Sequence, residues 1–496
     1  MAVLSDGIGN TFPSPLAFAL LFPVATVLYY IWSYTTSPLR KYPGPFFADL
    51  HRKYGPVVRL GPNLLDLDYP TLISEIYGIK GDFRKTEFYH SSSAVRSGQV
   101  IYNLFSEVDP VKHAKEKKPV AKYYSTQGVM SLEPHVDSTI VMLCEALESR
   151  FMRGGSKGRA CDLGEWIDYY AWDIVGKTTF SKPFGFLEKG DDIDNTLKAA
   201  NESLDYFARV GQIPILDFWL AKNPVRPIGL SVYPIVSMSV QRLMERYNVA
   251  DAAWHNPEVP DFLDHFIEAK KLDPDHVDDN QIISWMMINS IAGADTTAII
   301  VKDVLYYALK HPLVWERLRR EFEYRDVASP VVEYREARDN AYLEAVVREA
   351  SRMHPGISMC LERYVPSRGL ILPDGHGVVP AGVAVGINPF VMTRHSDIYG
   401  KNVDEFRPDR WLQALDESED DFQKRLRAMK NADLTFGAGS RVCIGKNIAL
   451  MEVYKVIATL VVRYDIELAE PDAEWEIQNS FFVRQKGIYV HLSPRK

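Results

Sequence analysis

The sequence predicts an α+β protein that is predominantly helical. Apolar residues recur at helical spacing over residues 133–151, 197–211 and 236–246. A longer stretch, residues 279–309, is apolar nearly all round, as a helix through the middle of a fold must be. The last third of the chain instead mixes short strand-like segments with stretches rich in proline and glycine. These patterns together favour a helical body with small sheets.

Short segments in the first and last thirds of the chain are predicted to be strands. Residues 56–60 and 64–68 contain β-branched and apolar residues and are separated by Gly61-Pro62-Asn63, which predicts a hairpin. Residues 382–387 form a further short strand, and the chain ends in a strand at 488–492.

Composition describes an ordinary globular enzyme. The chain has 496 residues, of which 46% are hydrophobic and 25% charged, with a net charge of -8. The absence of a clustered basic face argues against nucleic acid as a partner. The four cysteines are too scattered for a disulfide framework or a zinc site and indicate a reducing compartment. We expect Cys144, Cys161 and Cys360 to be buried structural residues.

The N-terminal region predicts a membrane anchor. Residues 15–34 carry no charged side chain and are long enough for one helical crossing. Arg40 and Lys41 follow, whereas Asp6 is the charged side chain before it, so the C-terminal side should face the cytosol. A cleaved signal peptide is the alternative, but a basic leading region and a small-residue cleavage pattern are missing. We predict a luminal N-terminus at 1–14, an anchor at 15–34, a proline-rich hinge at 35–50 and a catalytic body at 51–496.

Residues 436–445 place a cysteine where a loop becomes a helix. Unpaired backbone N–H groups at a helix start carry partial positive charge, so they favour a thiolate at Cys443. Glycines in the loop permit a close approach to a flat cofactor, and Gly445 lets the backbone donate to the sulfur. Arg441 offers a fixed fork that suits a carboxylate. Taken alone, a cysteine before a glycine is more often a buried structural residue.

The centre of residues 279–309 breaks the apolar pattern. Ala292, Gly293, Asp295, Thr296 and Thr297 place two small residues, an acid and two hydroxyls in a stretch of large apolar residues. Buried polar groups need partners, and a threonine can bond back to a carbonyl one turn earlier. Gly293 leaves room over the helix surface, so a local groove is expected. A kinked core helix is the alternative.

A third pattern is Glu349-Ala350-Ser351-Arg352, within a helix predicted over 342–354 that must end before Pro355. Glu349 and Arg352 lie on one helical face. Such a pair alone is usually a solvated surface feature worth well under ~1 kcal/mol.

The string Phe436-x-x-Gly439-x-Arg441-x-Cys443-x-Gly445 resembles the cysteine loop of the cytochrome P-450 superfamily at every fixed position. The resemblance covers nearly the whole chain, and it implies the fold of that family and a haem whose axial thiolate comes from Cys443. Phe436, Arg441 and Gly445 would contact the haem. In the family the acid and the first threonine of the long helix deliver protons to dioxygen, which carries over to Asp295 and Thr296.

The resemblance implies further roles. Ala292 and Gly293 would line the pocket above the haem. Glu349, Arg352 and Arg410 would form a buried structural network behind it. His113, Lys117 and Arg363 would contact the haem propionates. One departure is that only residues 46–50 separate the proline hinge from His51, where relatives have a helix-sized stretch. The first helix of the body is therefore expected to be missing.

The last third of the chain is most similar to fungal microsomal members, such as the pisatin demethylase-like group. The resemblance implies a haem-dependent monooxygenase that oxidises a hydrophobic small molecule of fungal secondary metabolism and is held by a single-pass anchor in the endoplasmic reticulum membrane. Electrons should come from an NADPH-dependent reductase, because the chain has no flavin or dinucleotide fingerprint. Two alternatives are a haem-thiolate isomerase or dehydratase that does not use dioxygen, and a non-catalytic haem-binding protein.

Overall fold

The structure is a computed structural model that describes residues 50–79, 81–96, 99–152, 159–222, 233–323 and 330–495. The predicted luminal N-terminus, the anchor at 15–34 and nearly all of the hinge lie outside the described residues. Across the part of the chain that is described, no helix has both the length and the apolar character that a bilayer crossing requires.

The described elements are mainly helical, as predicted. The helices are α1 His51–Tyr54, α2 Ile73–Ile76, α3 Pro110–Lys117, α4 Thr126–Val129, α5 Glu133–Leu147, α6 Leu163–Phe180, α7 Phe186–Lys189, α8 Thr196–Val210, α9 Pro214–Leu220, α10 Tyr233–Tyr247, α11 Phe262–Leu272, α12 Asp279–Lys310, α13 Pro312–Glu321, α14 Tyr334–Asp339, α15 Ala341–Met353, α16 Pro389–Met392, α17 Ser396–Tyr399, α18 Glu419–Ala432 and α19 Lys446–Arg463.

The strands are short. They are β1 Val57–Gly61, β2 Leu64–Leu67, β3 Arg84–Lys85, β4 Ala94–Arg96, β5 Gln99–Ile101, β6 Cys161–Asp162, β7 Arg363–Tyr364, β8 Leu370–Leu372, β9 Gly377–Val379, β10 Ala384–Gly386, β11 Tyr464–Leu468, β12 Glu476–Ser480, β13 Phe482–Lys486 and β14 Tyr489–Pro494.

The chain divides into two compact units. The smaller comprises the described residues up to Asp68 together with Tyr364–Gly386, and the larger comprises Tyr69–Arg363 and the chain from Ile387 onward. In the smaller unit β1 and β2 form the predicted antiparallel hairpin, with Val58 opposite Asp66. β10 pairs parallel to β2, and β8 pairs with β9.

The larger unit is built around α12, whose bounds agree with the prediction. The Asp278 side chain accepts the N–H of Gln281 at 2.8 Å and caps the helix start, and the helix ends before Pro312. α12 contacts α6, α15 and α19, and most of its residues are buried. The predicted helix at 133–151 is α5, which continues as a π-helical turn to Met152.

Three small sheets complete this unit. β14 pairs with β11 and β6, which confirms the predicted terminal strand. β4 pairs with β5. β12 and β13 form a hairpin whose turn residue, Phe481, is fully buried at φ 75°. A bulky residue in the left-handed region is uncommon and is held there only by its surroundings.

Candidate active site

Cys443 closes a loop that runs from Phe436 to the start of α19. The Cys443 N–H donates to the Phe436 carbonyl at 2.8 Å. Gly437 and Gly439 have φ of 68° and 60°, in the left-handed region that glycine adopts freely. A β-carbon at Gly439 would lie 1.7 Å from the Tyr77 carbonyl oxygen, so no other residue fits there. The loop is therefore fixed by its own turns and by the backbone at Tyr77.

Cys443 differs from the other cysteines in accessibility. It is exposed, whereas the other three are buried as predicted: Cys144, Cys161 and Cys360. Protein atoms nevertheless crowd the surroundings of Cys443, and this desolvation raises the pKa of its thiol. The backbone N–H groups of Gly445 and Lys446 and the ammonium of Lys117 act in the opposite direction. The predicted effect of the helix start is present, but desolvation outweighs it.

Basic side chains gather near the cysteine loop. Arg441 donates to two backbone carbonyls at 2.7 and 3.3 Å, and Lys117 donates to the Ser440 carbonyl at 3.3 Å. His113 is buried on α3 one turn before Lys117. Arg363 is buried and donates to a tyrosine hydroxyl at 3.4 Å and to a backbone carbonyl at 2.7 Å.

These cations repel one another. Burial and the charge of Arg363 lower the pKa of Arg441 to about 10. Burial and the charges of Arg441, Lys85 and Lys117 lower the pKa of His113 to about 3. Crowded, partly desolvated cations are stabilised by anions, so the donor set fits the two carboxylates of a haem. Lys85 also lies near these cations. It was not predicted, because its strand is far from the cysteine loop in the sequence.

The hydroxyls at the centre of α12 both have partners. Thr296 Oγ1 donates to the Ala292 carbonyl at 2.6 Å, which is the predicted bond back along the helix. Thr297 Oγ1 donates to the Glu452 carboxyl group at 3.3 Å. Burial raises the pKa of Glu452 to about 8. The polar break in the apolar pattern is therefore satisfied within the fold.

Asp295 carries a perturbed carboxyl group. Burial and the nearby Asp168 raise its pKa to about 6, while Lys302, Arg484 and a hydrogen bond from the Trp172 indole N–H at 3.3 Å act against this rise. A carboxyl group with this pKa can both hold and release a proton near neutral pH.

A large cavity of about 310 Å³ lies beside α12 and is lined by Ala292 and Asp295. Gly293 is not among its lining residues, and a β-carbon there would lie 3.0 Å from Val175 Cγ2 on α6. The small size of Gly293 is thus explained by close packing of two helices, and its role beside a cofactor stays a prediction.

The cavity wall is mainly apolar. Its aromatic lining residues contact one another, and Phe481 packs against the rings of Phe105 and Phe207. Serines and two asparagines are among the polar residues of the lining. The lining residues include Phe105, Phe207, Phe481, Phe482, Ser93 and Asn103.

The Glu349 and Arg352 side chains are buried, so the solvated alternative for this pair is wrong. Arg352 binds Glu349 through two hydrogen bonds of 2.8 Å. Glu349 also accepts from Arg410 Nε at 3.2 Å, from the Arg407 backbone N–H at 3.0 Å and from the Trp411 indole at 2.8 Å. Glu349, Arg352 and Arg410 thus form one network, and Trp411 belongs to it without having been predicted.

Comparison with known proteins gives consistent results. Residues 22–492 match the family model described as cytochrome P-450. The chain is 42% identical to the cytochrome P-450 monooxygenase cfoH of Aspergillus candidus, over 98% of this chain and 94% of that protein. It is 35% identical to the cytochrome P-450 monooxygenase cicH of Emericella nidulans, over 90% of this chain and 88% of that protein. A cytochrome P-450 monooxygenase of Aspergillus terreus is also 35% identical, over 94% of this chain.

Proposed function

This chain belongs to the cytochrome P-450 family, and on that premise we propose that it oxidises a hydrophobic small molecule of fungal secondary metabolism with Cys443 as the haem ligand. The family consists of monooxygenases that bind haem through a cysteine thiolate. The observation that carries the assignment of Cys443 is that it is the exposed cysteine among the four, in a loop beside a cluster of cations.

The residues of the cysteine loop would hold the haem. Cys443 would supply the sulfur that binds the haem iron, and the Gly445 N–H would donate to that sulfur. Arg441, Lys117 and Arg363 would neutralise the propionates, and the neutral His113 would donate a hydrogen bond to one of them. A bound carboxylate would offset the burial and the repulsion that lower the pKa of Arg441. When bound, a thiolate-ligated haem supplies the chemistry of dioxygen activation.

Asp295 and Thr296 would supply protons at the edge of the large cavity. The Asp295 carboxyl group lines that cavity, and its pKa of about 6 lets it pass on a proton and take up another. The Thr296 hydroxyl is held by the Ala292 carbonyl, which fixes its position on the helix. This arrangement favours a monooxygenase over an isomerase or dehydratase, which would need no proton supply for dioxygen.

The electron donor, the membrane and the substrate class can each be proposed from the sequence or the cavity. Without a flavin or dinucleotide fingerprint, the chain needs an external electron donor, and we propose an NADPH-dependent reductase. The uncharged segment at 15–34 supports a single-pass anchor in the endoplasmic reticulum membrane with the catalytic body in the cytosol. The mainly apolar cavity supports a hydrophobic substrate.

The assignment of Cys443 can be tested with Cys443→Ala and the matched control Cys360→Ala. The control removes a buried thiol that the proposal does not use. The reduced, carbon monoxide-bound Soret spectrum should keep its thiolate band in Cys360→Ala and lose it in Cys443→Ala. A thiolate band that persists in Cys443→Ala contradicts the assignment.

The substrate class can be tested by comparing metabolites of a fungal host with and without this gene. An apolar compound should accumulate in the strain that lacks the gene, and its oxidised form should disappear. A second incubation with purified protein, reductase and NADPH should convert the accumulated compound, with one oxygen atom taken from dioxygen. Oxygen-free conversion would instead support the isomerase or dehydratase.

A further inference from the structure

A second cavity lies behind Asp295. It is small, about 60 Å³, and most of its lining residues are polar or charged, among them Asp168, Lys302 and Arg484; Trp172 also lines it. Asp295 lines this polar cavity and also the large apolar one, and among the described residues it is the one that lines both. Its carboxyl group therefore stands between a space suited to water and the space suited to substrate.

One stripe of α12 forms a wall of the polar cavity. Asp295, Ile299 and Lys302 are spaced by four and then three residues, so they lie on one face of the helix. Long side chains in a helix incline toward its N-terminus. The Lys302 side chain thus inclines in the direction of Asp295, and its ammonium is a natural partner for that carboxylate.

The ammonium of Lys302 is bound elsewhere. Its Nζ lies 2.7 Å from Asp168 Oδ1 on α6 and 3.3 Å from the Gln485 carbonyl oxygen. The Lys302 side chain is 3% exposed, whereas that of Asp168 is 32% exposed. Asp168 therefore places a carboxylate at the solvent side of the polar cavity and holds the buried ammonium there.

The second cation near Asp295, the Arg484 guanidinium, is also bound by other residues. The Arg484 guanidinium on β13 lies 2.5 Å from Asp205 Oδ1 on α8 and donates to Asn201. The Asp295 carboxyl group accepts a single hydrogen bond, from the Trp172 indole. No other side-chain hydrogen bond to Asp295 is found among the described residues, so its carboxyl group is free to exchange a proton with water.

We infer that Asp168 is a positioning residue for Asp295: because it holds the Lys302 ammonium away from the Asp295 carboxyl group, that carboxyl group stays able to exchange protons with solvent through the polar cavity. The inference rests on the proposed function, in which Asp295 supplies protons. Monooxygenation consumes protons because one oxygen atom of dioxygen leaves as water, with electrons from the reductase. Each proton that Asp295 gives up must be replaced, and the polar cavity leads to a carboxylate in contact with solvent.

Asp168→Asn tests the inference because the amide cannot hold the ammonium by charge. Lys302 should then pair with Asp295, fix it as a carboxylate and stop its proton uptake. With naphthalene as an apolar probe, we expect the hydrogen peroxide released per NADPH consumed to rise and the solvent isotope effect on turnover to increase. Positioned proton transfer contributes roughly 10²–10⁴-fold, so the rate of product formation should fall by on the order of 10²-fold, the lower end of that range.

The double variant Asp168→Asn, Lys302→Met separates this role from a structural one. Removal of the ammonium should restore peroxide release to within about twofold of that of Lys302→Met alone, although the double variant has lost the whole ion pair. Lys455→Met is the matched control. It removes an equally buried lysine that pairs with Glu133 and Asp137, and it should not change peroxide release.

Water access can be measured without turnover. The Trp172 indole N–H borders the polar cavity, and its deuterium exchange can be followed by ¹⁵N NMR of labelled tryptophan, assigned with Trp172→Phe. Exchange should slow in Asp168→Asn and recover in the double variant. If Asp168→Asn behaves like the wild type in both measurements, or if the double variant is no better than the single one, the inference is overturned. Loss of the thiolate band or of NADPH consumption in the wild type would instead overturn the proposed function.

Discussion

Replacement of Glu349 by glutamine should be among the most destabilising conservative changes in this protein. Glu349 is fully buried and its two oxygens accept five hydrogen bonds, three of them from charged guanidinium groups. A glutamine would turn an amide NH₂ toward donors and leave Arg352, at 2% exposure, without its counter-charge. Breaking a buried pair in this way costs ~3–5 kcal/mol, a large part of the ~5–15 kcal/mol that stabilises a typical domain.

The neighbouring Glu344→Gln is the matched control. Glu344 pairs with Arg348 on the same helix at 2.7 Å, but the two side chains are 40% and 28% exposed. An exposed pair of this kind contributes ~0.3–0.5 kcal/mol. Urea denaturation followed by tryptophan fluorescence, together with haem content after expression, should show a large loss for Glu349→Gln and almost none for Glu344→Gln. Equal losses in the two variants would refute the reasoning from burial.

Three further predictions follow from the site. Gly439→Ala should abolish haem incorporation because its β-carbon would clash with a backbone carbonyl. In Gly437→Ala the β-carbon would lie 3.6 Å from its nearest atom, so this variant should lose only ~1–2 kcal/mol of folding stability. Equal haem content in the two variants would contradict this. The raised pKa of Asp295 means that its ionisation opposes folding as pH rises from about 4 to about 6, so Asp295→Asn should raise the melting temperature above pH 7 but not near pH 4. Thr296→Ala should uncouple NADPH consumption from product formation, measured as peroxide, while Thr297→Ser should not.

The parts of the site that the sequence predicted well are those that short patterns specify. The loop at Cys443 and the pair of Glu349 and Arg352 each lie within ten residues, so spacing alone places their side chains together. The helix at 279–309 was likewise predictable, because an apolar pattern of that length leaves few other structures.

What could not be predicted depends on contacts between distant segments. Lys85 and Asp168 lie in stretches without a distinctive pattern, and they come close to the other residues through tertiary packing. Trp411 directly follows Arg410, but its hydrogen bond to Glu349 could not be predicted from spacing. Gly293 is a further example: the polar break predicts a groove there, but the close contact with Val175 on α6 could not be predicted from the pattern. The sequence also could not predict that the pKa of Cys443 is raised, because desolvation depends on atoms from many parts of the fold.

The approach of Gly439 to the Tyr77 carbonyl has a consequence for how the protein matures. The segment that shapes the sulfur-bearing turn is synthesised long before the turn itself, so the two can meet only after nearly the whole polypeptide has left the ribosome. A C-terminal fragment that retained Cys443 but lacked residues 73–79 would contain the cysteine, but not the backbone against which the cysteine loop packs. Haem should accordingly bind late in the synthesis of the protein, and purified truncated proteins should contain no haem.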